Sequence, residues 1–476
     1  IFKSNKECLQ RLLFISNLVK QSFEKVYDEP KLENTLENRN LVKSRNSAPL
    51  SKYEHMINND EIRSKLNQII IDNGIRTKSV MRKCMIYAIE EILNIYPNCV
   101  YIGEDVSHGG YYLVTDGLSA KYPLRIRDFP PDETALFGIG IGYSQSGLIP
   151  IVEMPYAKYL DCGADAFFES IIMNWLSNGK QPNGVLFRLQ GFGNGLFGGN
   201  FHTHNSLYIP PGLDVVCYSN GYDYINGWRY NIQQAQNGRC IMSVDCTQQL
   251  NNRHIYDIKP FNEKDGSLLC NIPSYNEYLT FDDIIIYNND RDRFTIYDSK
   301  FNGDDKDRFI NTDNGYYDVN KLKSLNQFFA KWDSDDKQKT TTKDRKLNIL
   351  MITYGLGVNA SRQAQHELRM SNDDNHKDIG DILVVDTPYL SDIPNQLRQI
   401  LKNNKNNDID CLLFADMCKE GQNPLNGMIS KLQQENILQN YSWQSIAAQF
   451  TYNPLGKDLT FLSKDDIIHT VNKLIE

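Results

Sequence analysis

The apolar positions along residues 77–250 follow two periods, one typical of helices and one typical of buried strands. Apolar side chains recur every three or four residues over 77–97, which predicts an amphipathic helix. Short continuous apolar runs predict buried strands at 99–105, 148–154, 184–191, 213–219 and 240–245. A second helical pattern covers 163–179. Alternation of strands and helices predicts a mostly parallel sheet covered on both faces.

The same alternation resumes at Leu347. Strand patterns at 347–355, 381–388 and 410–416 enclose helical patterns at 359–370 and 392–404. Short connections and the right-handed crossover rule place these strands in one parallel sheet. We therefore predict an α/β protein with two parallel-sheet domains, residues 77–250 and residues 346–476.

The two remaining segments are polar. Residues 1–76 begin with a helical pattern and continue as a polar stretch without a sustained period, which predicts an N-terminal helical extension and linker. Residues 251–345 are rich in Asn, Asp, Lys and Tyr. We interpret them as a polar surface insertion. The alternative is a docking surface for a partner protein.

Composition narrows the function classes. The net charge of −8, with acids and bases interspersed, argues against a general nucleic-acid binder. No run of 18 apolar residues is present, so we expect no membrane span. The ten cysteines form no C-x-x-C pair, and we interpret them as small core side chains in a reducing compartment. Because the first residue is Ile1 rather than Met, we expect a processed or missing segment before it.

One carboxylate opens an otherwise apolar, glycine-rich run. Glu133 precedes Gly138, Gly140 and Gly142, which predict close backbone approach and tight helix packing. A carboxylate in such surroundings is costly unless it has a partner or a function. Two interpretations stay open, namely a functional carboxyl group and an acid favoured at a helix N-terminus by the helix dipole.

Two further segments carry candidate chemistry. Residues 103–118 place two acids at the carboxyl end of a strand, where parallel sheets bind ligands. Residues 191–206 form a glycine-rich loop with His202 and His204 two positions apart. Two histidines without a third ligand are a weak metal site, so a metal site is not predicted, and proton transfer suits them better. The alternative is a pair of loop histidines bonded to the backbone.

These segments occur in a specific order, which is GEDV, then Glu133 with GIGIG, then EMPYAKY, GG-x-FH and IPPGL. The order resembles the beta subunit of thiamin-diphosphate-dependent 2-oxo acid dehydrogenases, in particular the form with alpha and beta parts fused in one polypeptide. In that form residues 1–76 would be the tail of the alpha part. The resemblance covers residues 76–250 and, less fully, 346–476. It implies two domains of the transketolase type.

The resemblance also implies residue roles. Glu133 would be a catalytic residue that hydrogen-bonds the aminopyrimidine ring of thiamin diphosphate, and Tyr159 would pack on that ring. His202 would be an acid in acyl transfer, with His204 as the alternative if the loop register differs. The implied activity is oxidative decarboxylation of a 2-oxo acid with acyl transfer to a lipoyl group. The GIGIG run slightly favours the branched-chain type over the pyruvate type.

Half of the implied site is missing from the chain. The sequence contains no G-D-G motif for the diphosphate and Mg²⁺, and Gly303-Asp304-Asp305 in the polar insertion is a poor candidate. The resemblance therefore implies an alpha-type partner that holds both groups, a hetero-oligomer with dimeric beta parts, and a lipoyl acyltransferase component. Family members also bind a monovalent cation, and those of eukaryotes lie in the mitochondrial matrix.

Three departures from the family pattern support an alternative. Pro131 and Pro155 replace pocket residues, and the segment 206–211 is shorter than in the family. Pro155, the long polar insertion and the shortened histidine loop favour this alternative, which is a non-catalytic, structural relative within a larger mitochondrial assembly. A third interpretation, a transketolase-like or xylulose-phosphate-synthase-like enzyme, is disfavoured because such enzymes carry the diphosphate motif in the same chain.

Overall fold

The chain divides into two compact units, Ile1–Ser47 and Ala48–Glu476. The computed structural model describes residues 4–27, 64–65, 68, 78–176, 184–193, 201–203, 205–250, 270–273, 277–287, 293–297, 316–318, 347–370, 379–403, 409–455 and 459–475. The first unit contains helix α1 (Asn5–Tyr27), which confirms the predicted N-terminal helix. None of the side chains of α1 is buried, and its apolar residues are exposed.

A six-stranded, fully parallel sheet forms the first layer of the second unit. Its strands are β2 (Cys99–Gly103), β3 (Ile126–Asp128), β4 (Ile149–Met154), β5 (Leu186–Gly191), β6 (Leu213–Val216) and β7 (Cys240–Cys246). They are arranged in the order β3–β2–β4–β5–β7–β6. Every residue of β4, β5 and β7 is buried, as the continuous apolar runs predict. Strand β3 was not predicted, because three residues carry too little pattern.

The described residues of this part of the chain include the helices α2 (Met81–Ile95), α3 (Leu118–Lys121), α4 (Glu133–Gln145), α5 (Ala164–Leu176) and α6 (Gly221–Gln236). Helix α6 is buried over almost its whole length although much of its sequence is polar. Its Arg229 forms a bidentate ion pair with Glu91 of α2, at 2.7 and 2.9 Å. Its Trp228 donates a hydrogen bond to Ser243 of β7. These partners satisfy polar groups that burial would otherwise penalise.

A seven-stranded mixed sheet forms the second layer. Its strands are β9 (Ile285–Tyr287), β10 (Arg293–Tyr297), β11 (Tyr316–Asp318), β12 (Leu347–Thr353), β13 (Ile379–Asp386), β14 (Cys411–Lys419) and β15 (Ser442–Ala448). The order is β11–β10–β9–β13–β12–β14–β15, with β12 to β15 parallel. Helices α7 (Leu356–Met370) and α8 (Asn395–Lys402) connect β12, β13 and β14, which confirms the predicted β-α-β-α-β unit. Helices α9 (Leu425–Gln434) and α10 (Lys464–Ile475) follow.

Part of the segment interpreted as a polar insertion belongs to this second sheet. Strand β9 pairs antiparallel with β13, and residues 284–287 are buried. These residues are therefore core rather than surface, which the surrounding polar composition concealed. Strand β1 (Lys78–Ser79) also pairs with β8 (Cys270–Asn271). Most of 251–345 lies outside the described residues, so the domain boundaries stay a prediction.

The two sheets meet beside β6. The Cys217 N–H donates to the Pro388 carbonyl at 2.8 Å, and the Leu390 N–H donates to the Val215 carbonyl at 2.9 Å. The described cysteines are free, and most of them are buried, as predicted. None of the helices within the described residues combines the length and the apolar character that crossing a membrane requires.

Helix α4 begins and packs as local rules require. Asp132 caps it by accepting a hydrogen bond from the Ala135 N–H at 3.0 Å. At Gly140 a Cβ atom would lie 2.6 Å from Val152 of β4, so glycine is needed for this close approach. At Gly138 and Gly142 no described atom lies within 4 Å of that position. The prediction of tight packing is therefore confirmed at Gly140 and wrong for the other two within this chain.

The surroundings of Gly140 and Gly142 predict different effects of a Gly→Ala substitution on the free energy of unfolding. Gly140→Ala should lower the free energy of unfolding by about 1–3 kcal/mol, because the added methyl group overpacks against Val152. Gly142→Ala on the same helix should leave it unchanged or raise it by up to about 1 kcal/mol, because alanine favours helix. Urea denaturation of the purified full chain measures both. Equal destabilisation by the two substitutions would contradict the packing described here.

A candidate carboxylate and aromatic site

Four neighbouring strands bring chemically active residues to one edge of the first sheet. Glu104 follows β2, while Tyr156 and Tyr159 follow β4. His202 lies in the segment after β5, and Glu133 begins the helix that follows β3. Because β3, β2, β4 and β5 are adjacent and parallel, their carboxyl ends meet at this edge. Such an edge is where open parallel sheets bind ligands.

Glu133 is half-buried at the first position of α4. Its neighbour Thr134 donates a hydrogen bond to the Cys162 carbonyl at 3.1 Å, which fixes the start of α4 against the turn after Tyr159. A Cβ atom on Gly163 would lie 2.9 Å from the Glu133 carbonyl carbon, so this turn approaches the helix closely. Glu133 thus has the helix N-terminal position of the second interpretation, yet it also faces a second acid.

That second acid is Glu104, which the sequence analysis noted in its segment without selecting it. Its side chain is 6% exposed. Tyr111 donates a hydrogen bond to its Oε2 at 3.4 Å, whereas its Oε1 is buried and accepts no hydrogen bond from the described residues. Burial, followed by the negative charge of Glu133, raises the pKa of Glu104. Glu104 and Glu133 are therefore close enough for the charge of one to act on the other, and we call them the acidic pair.

Tyr156 is the centre of an aromatic wall formed by Tyr111, Tyr156, Tyr159 and His202. Its ring stacks on the His202 imidazole with centroids 4.3 Å apart and planes inclined by 27°. The Tyr111 and Tyr159 rings lie 5.4 and 5.5 Å from it. Tyr159 meets His202 edge-on at 6.1 Å. The structure thus brings the predicted Tyr159 and His202 together through Tyr156, whose only sequence signal was its place in EMPYAKY.

His202 is anchored by its backbone and tuned by its surroundings. Its carbonyl accepts a hydrogen bond from the Lys158 N–H at 2.9 Å. Burial, and then the positive charge of Lys158, lowers the pKa of the imidazole below its usual value. Both effects favour the neutral imidazole over the imidazolium form. His204 lies outside the described residues, as does the loop 194–200.

A buried ionic network lies beneath the acidic pair. Arg188 of β5 pairs with Glu153 of β4 at 2.5 Å and with Asp245 of β7 at 2.7 Å. Gln190 donates a hydrogen bond to the other Glu153 oxygen at 2.7 Å. Burial raises the pKa of Asp245 to about 6, and Arg188 opposes that shift. A Cβ atom on Gly110 would lie 3.0 Å from Glu153, so the Glu104–Tyr111 loop rests directly on this network.

Two features bear on what the site can hold. Within the described ranges, no group of three or more His, Cys, Asp or Glu side chains could hold a metal ion. Pro155 is buried at the end of β4, and Pro131 is exposed before α4. The short segment 206–211 is tied to the second sheet region by a hydrogen bond from the Leu207 N–H to the Gln422 carbonyl.

Parts of the chain are similar in sequence to known proteins. Residues 78–245 match the family model described as transketolase, pyrimidine binding domain. The beta subunit of acetoin:2,6-dichlorophenolindophenol oxidoreductase from Cupriavidus necator is 29% identical over 156 residues, covering 29% of this chain and 44% of that protein. The beta subunit of 2-oxoisovalerate dehydrogenase from Pseudomonas aeruginosa is 29% identical over 153 residues, covering 31% and 43%.

The E1 component subunit beta-2 of chloroplastic pyruvate dehydrogenase from Arabidopsis thaliana is 28% identical over 178 residues, covering 34% of this chain and 44% of that protein. The matches thus span less than half the length of these relatives. A solved structure titled "Split gene transketolase, inactive beta4 tetramer" has a TM-score of 0.49 at 12% identity, over 84% of this chain and 98% of that one. The resemblance to beta subunits inferred from the motifs is confirmed.

The charge of Lys158 predicts a measurable change at His202. Lys158→Met should raise the His202 pKa towards its usual value, because a nearby cation disfavours the imidazolium form. Since Lys158 is exposed, the rise should be a few tenths of a pH unit and should shrink with added salt. Lys158→Arg keeps the charge and is the control. NMR titration of the imidazole measures the pKa, and a rise of equal size in Lys158→Arg would contradict this electrostatic account.

Proposed function

We propose, from the match of residues 78–245 to the transketolase pyrimidine-binding family model, that the chain is a beta-type subunit of a thiamin-diphosphate-dependent 2-oxo acid dehydrogenase. It contributes half of an active site that decarboxylates a 2-oxo acid oxidatively and transfers the acyl group to a lipoyl group. The observation that carries the proposal is the acidic pair of Glu104 and Glu133 beside the aromatic wall, at the ligand-binding edge of a parallel sheet.

The residues at this edge fit the aminopyrimidine end of thiamin diphosphate. The Oε1 atom of Glu104 is buried and accepts no hydrogen bond from the described residues. An amino-substituted ring carries a hydrogen-bond donor that would satisfy this oxygen. The aromatic wall provides apolar ring surface for a planar heterocycle. When bound, thiamin diphosphate supplies the nucleophilic carbon and the electron sink that decarboxylation needs.

The chain's own residues have separate tasks. Glu133 would hold the aminopyrimidine ring and move a proton at its ring nitrogen, while Tyr159 would pack on the ring. His202, fixed by the Lys158 N–H and the Tyr156 ring, would act as an acid during acyl transfer. His204 is the alternative for this step.

The missing diphosphate motif supports an interface site. An alpha-type subunit or domain would hold the diphosphate and Mg²⁺, and the beta parts would pair as dimers within a hetero-oligomer. The printed names of the curated relatives, which are beta subunits, support such a partner. A lipoyl acyltransferase component would accept the acyl group. A monovalent cation on backbone carbonyls belongs to the same proposal.

The most specific parts of the proposal are the substrate and the cellular location. We favour a branched-chain 2-oxo acid slightly over pyruvate, on the GIGIG run of α4. We place the chain in the mitochondrial matrix. The names of the relatives include both mitochondrial and chloroplastic forms. The proposed location therefore rests only on the resemblance of the motifs.

A second candidate is a non-catalytic, structural relative within a larger mitochondrial assembly. It is favoured by the buried Pro155, which offers no polar contact to a ligand, and by the short segment 206–211. Both candidates use the same fold, so ligand binding and turnover decide between them.

The Glu133 side chain tests the proposed activity. Glu133→Gln should lower turnover at least about a hundredfold, because an amide cannot transfer the proton that the ring requires. Folding and subunit assembly should be unchanged, since Glu133 is half-buried and the cap is Asp132. Glu420→Gln, the same change at an exposed position, is the control. Steady-state assays and gel filtration of the native assembly measure these effects.

Calorimetric titration of thiamin diphosphate with Mg²⁺ into the same assembly completes this test. Binding that disappears in Glu133→Ala supports the pyrimidine pocket at this edge. An intact assembly without binding would favour the structural relative, and normal turnover in Glu133→Gln would remove Glu133 from the mechanism.

His202 predicts a difference between two assays. His202→Ala should reduce acyl transfer to the lipoyl group more than decarboxylation coupled to an artificial electron acceptor. The reason is that only acyl transfer needs a proton from His202. The expected gap is about tenfold or more in kcat. Tyr452→Phe, far along the chain on an exposed loop, is the control. Equal losses in both assays would leave His202 with a positional role only.

A further inference from the structure

The Tyr111 side chain is exposed, but its hydroxyl group forms a hydrogen bond. The side chain is 46% exposed, yet its hydroxyl donates to Glu104 Oε2 at 3.4 Å. The ring lies against Tyr156 with centroids 5.4 Å apart and planes inclined by 60°. The preceding Gly109 and Gly110 have positive φ angles, so the loop turns sharply enough to bring this tyrosine back over the end of β2.

The carboxylate that Tyr111 contacts has acidic surroundings. Asp105, Glu133 and Glu153 all raise the pKa of Glu104 by their negative charge, and burial raises it further. The Tyr111 hydrogen bond acts in the opposite direction, because a donated proton stabilises the ionised form. This hydroxyl contacts Oε2, whereas Oε1 is buried and accepts no hydrogen bond from the described residues.

We propose that Tyr111 is a positioning residue of the site, which fixes the Glu104 carboxyl group through Oε2 and so leaves the buried Oε1 for the hydrogen-bond donor of a ligand. The identity of that ligand rests on the proposed function, whereas the contact between Tyr111 and Glu104 does not. The sequence alone gave no indication of this role, since Tyr111 and Tyr112 are indistinguishable in the GGYYL stretch.

Removal of the single hydroxyl tests the proposal. Tyr111→Phe keeps the ring against Tyr156 and deletes the donor, so the Glu104 pKa should rise by about half a pH unit. Tyr112→Phe is the matched control, because its hydroxyl interacts with Tyr156 and Thr247 rather than Glu104. Infrared difference titration of the purified full chain measures the protonated carboxyl band, with Glu104→Gln identifying it.

The outcomes separate this inference from the proposed function. A rise in Tyr111→Phe that Tyr112→Phe does not share supports the positioning role. No rise, or an equal rise in both variants, overturns it even if the native assembly binds thiamin diphosphate. If the rise is found but calorimetry detects no binding of thiamin diphosphate with Mg²⁺ to the native assembly, the proposed function fails and the positioning role stands.

Discussion

The buried guanidinium of Arg188 is the interaction on which the site edge depends. It pairs with Glu153 on one neighbouring strand and Asp245 on the other, and it donates to the Tyr101 hydroxyl of β2 at 3.2 Å. A fully buried cation is tolerated only when such partners replace its water. Loss of one partner would leave an uncompensated buried charge, at a cost of about 3–5 kcal/mol. The carboxyl ends of β2, β4, β5 and β7 are therefore held together chemically as well as by their ladders.

This network determines the charge balance of the site above it. Arg188 already compensates two carboxylates, and within the described residues neither Glu104 nor Glu133 forms an ion pair. Burial, and then the negative charge of Glu133, raises the pKa of Glu104. Proton exchange with a bound heterocycle is a use that such a pair supports. A structural relative would keep the same carboxylates without using them for proton exchange.

The aromatic wall shows how a loop acquires precision. Tyr156 contacts Tyr111, Tyr159 and His202, and the Lys158 N–H fixes the His202 carbonyl. Rings with few rotatable bonds lose little entropy on such packing, so they suit a site that must be rigid before its ligand arrives. The close contact at Gly140 plays the same part for α4, since it seats the helix that carries Glu133 on β4.

The sequence by itself determined the parallel sheets, the N-terminal helix, the resemblance to beta subunits, and the choice of Glu133, Tyr159 and His202, because apolar periodicity and ordered motifs are local signals. Only the tertiary structure decided that Glu104 lies within the electrostatic influence of Glu133, that Tyr156 links the wall, and that residues 284–287 are core. Those facts depend on which strands become neighbours and on what burial does to charge. Neither is encoded in any window of the chain short enough to interpret alone.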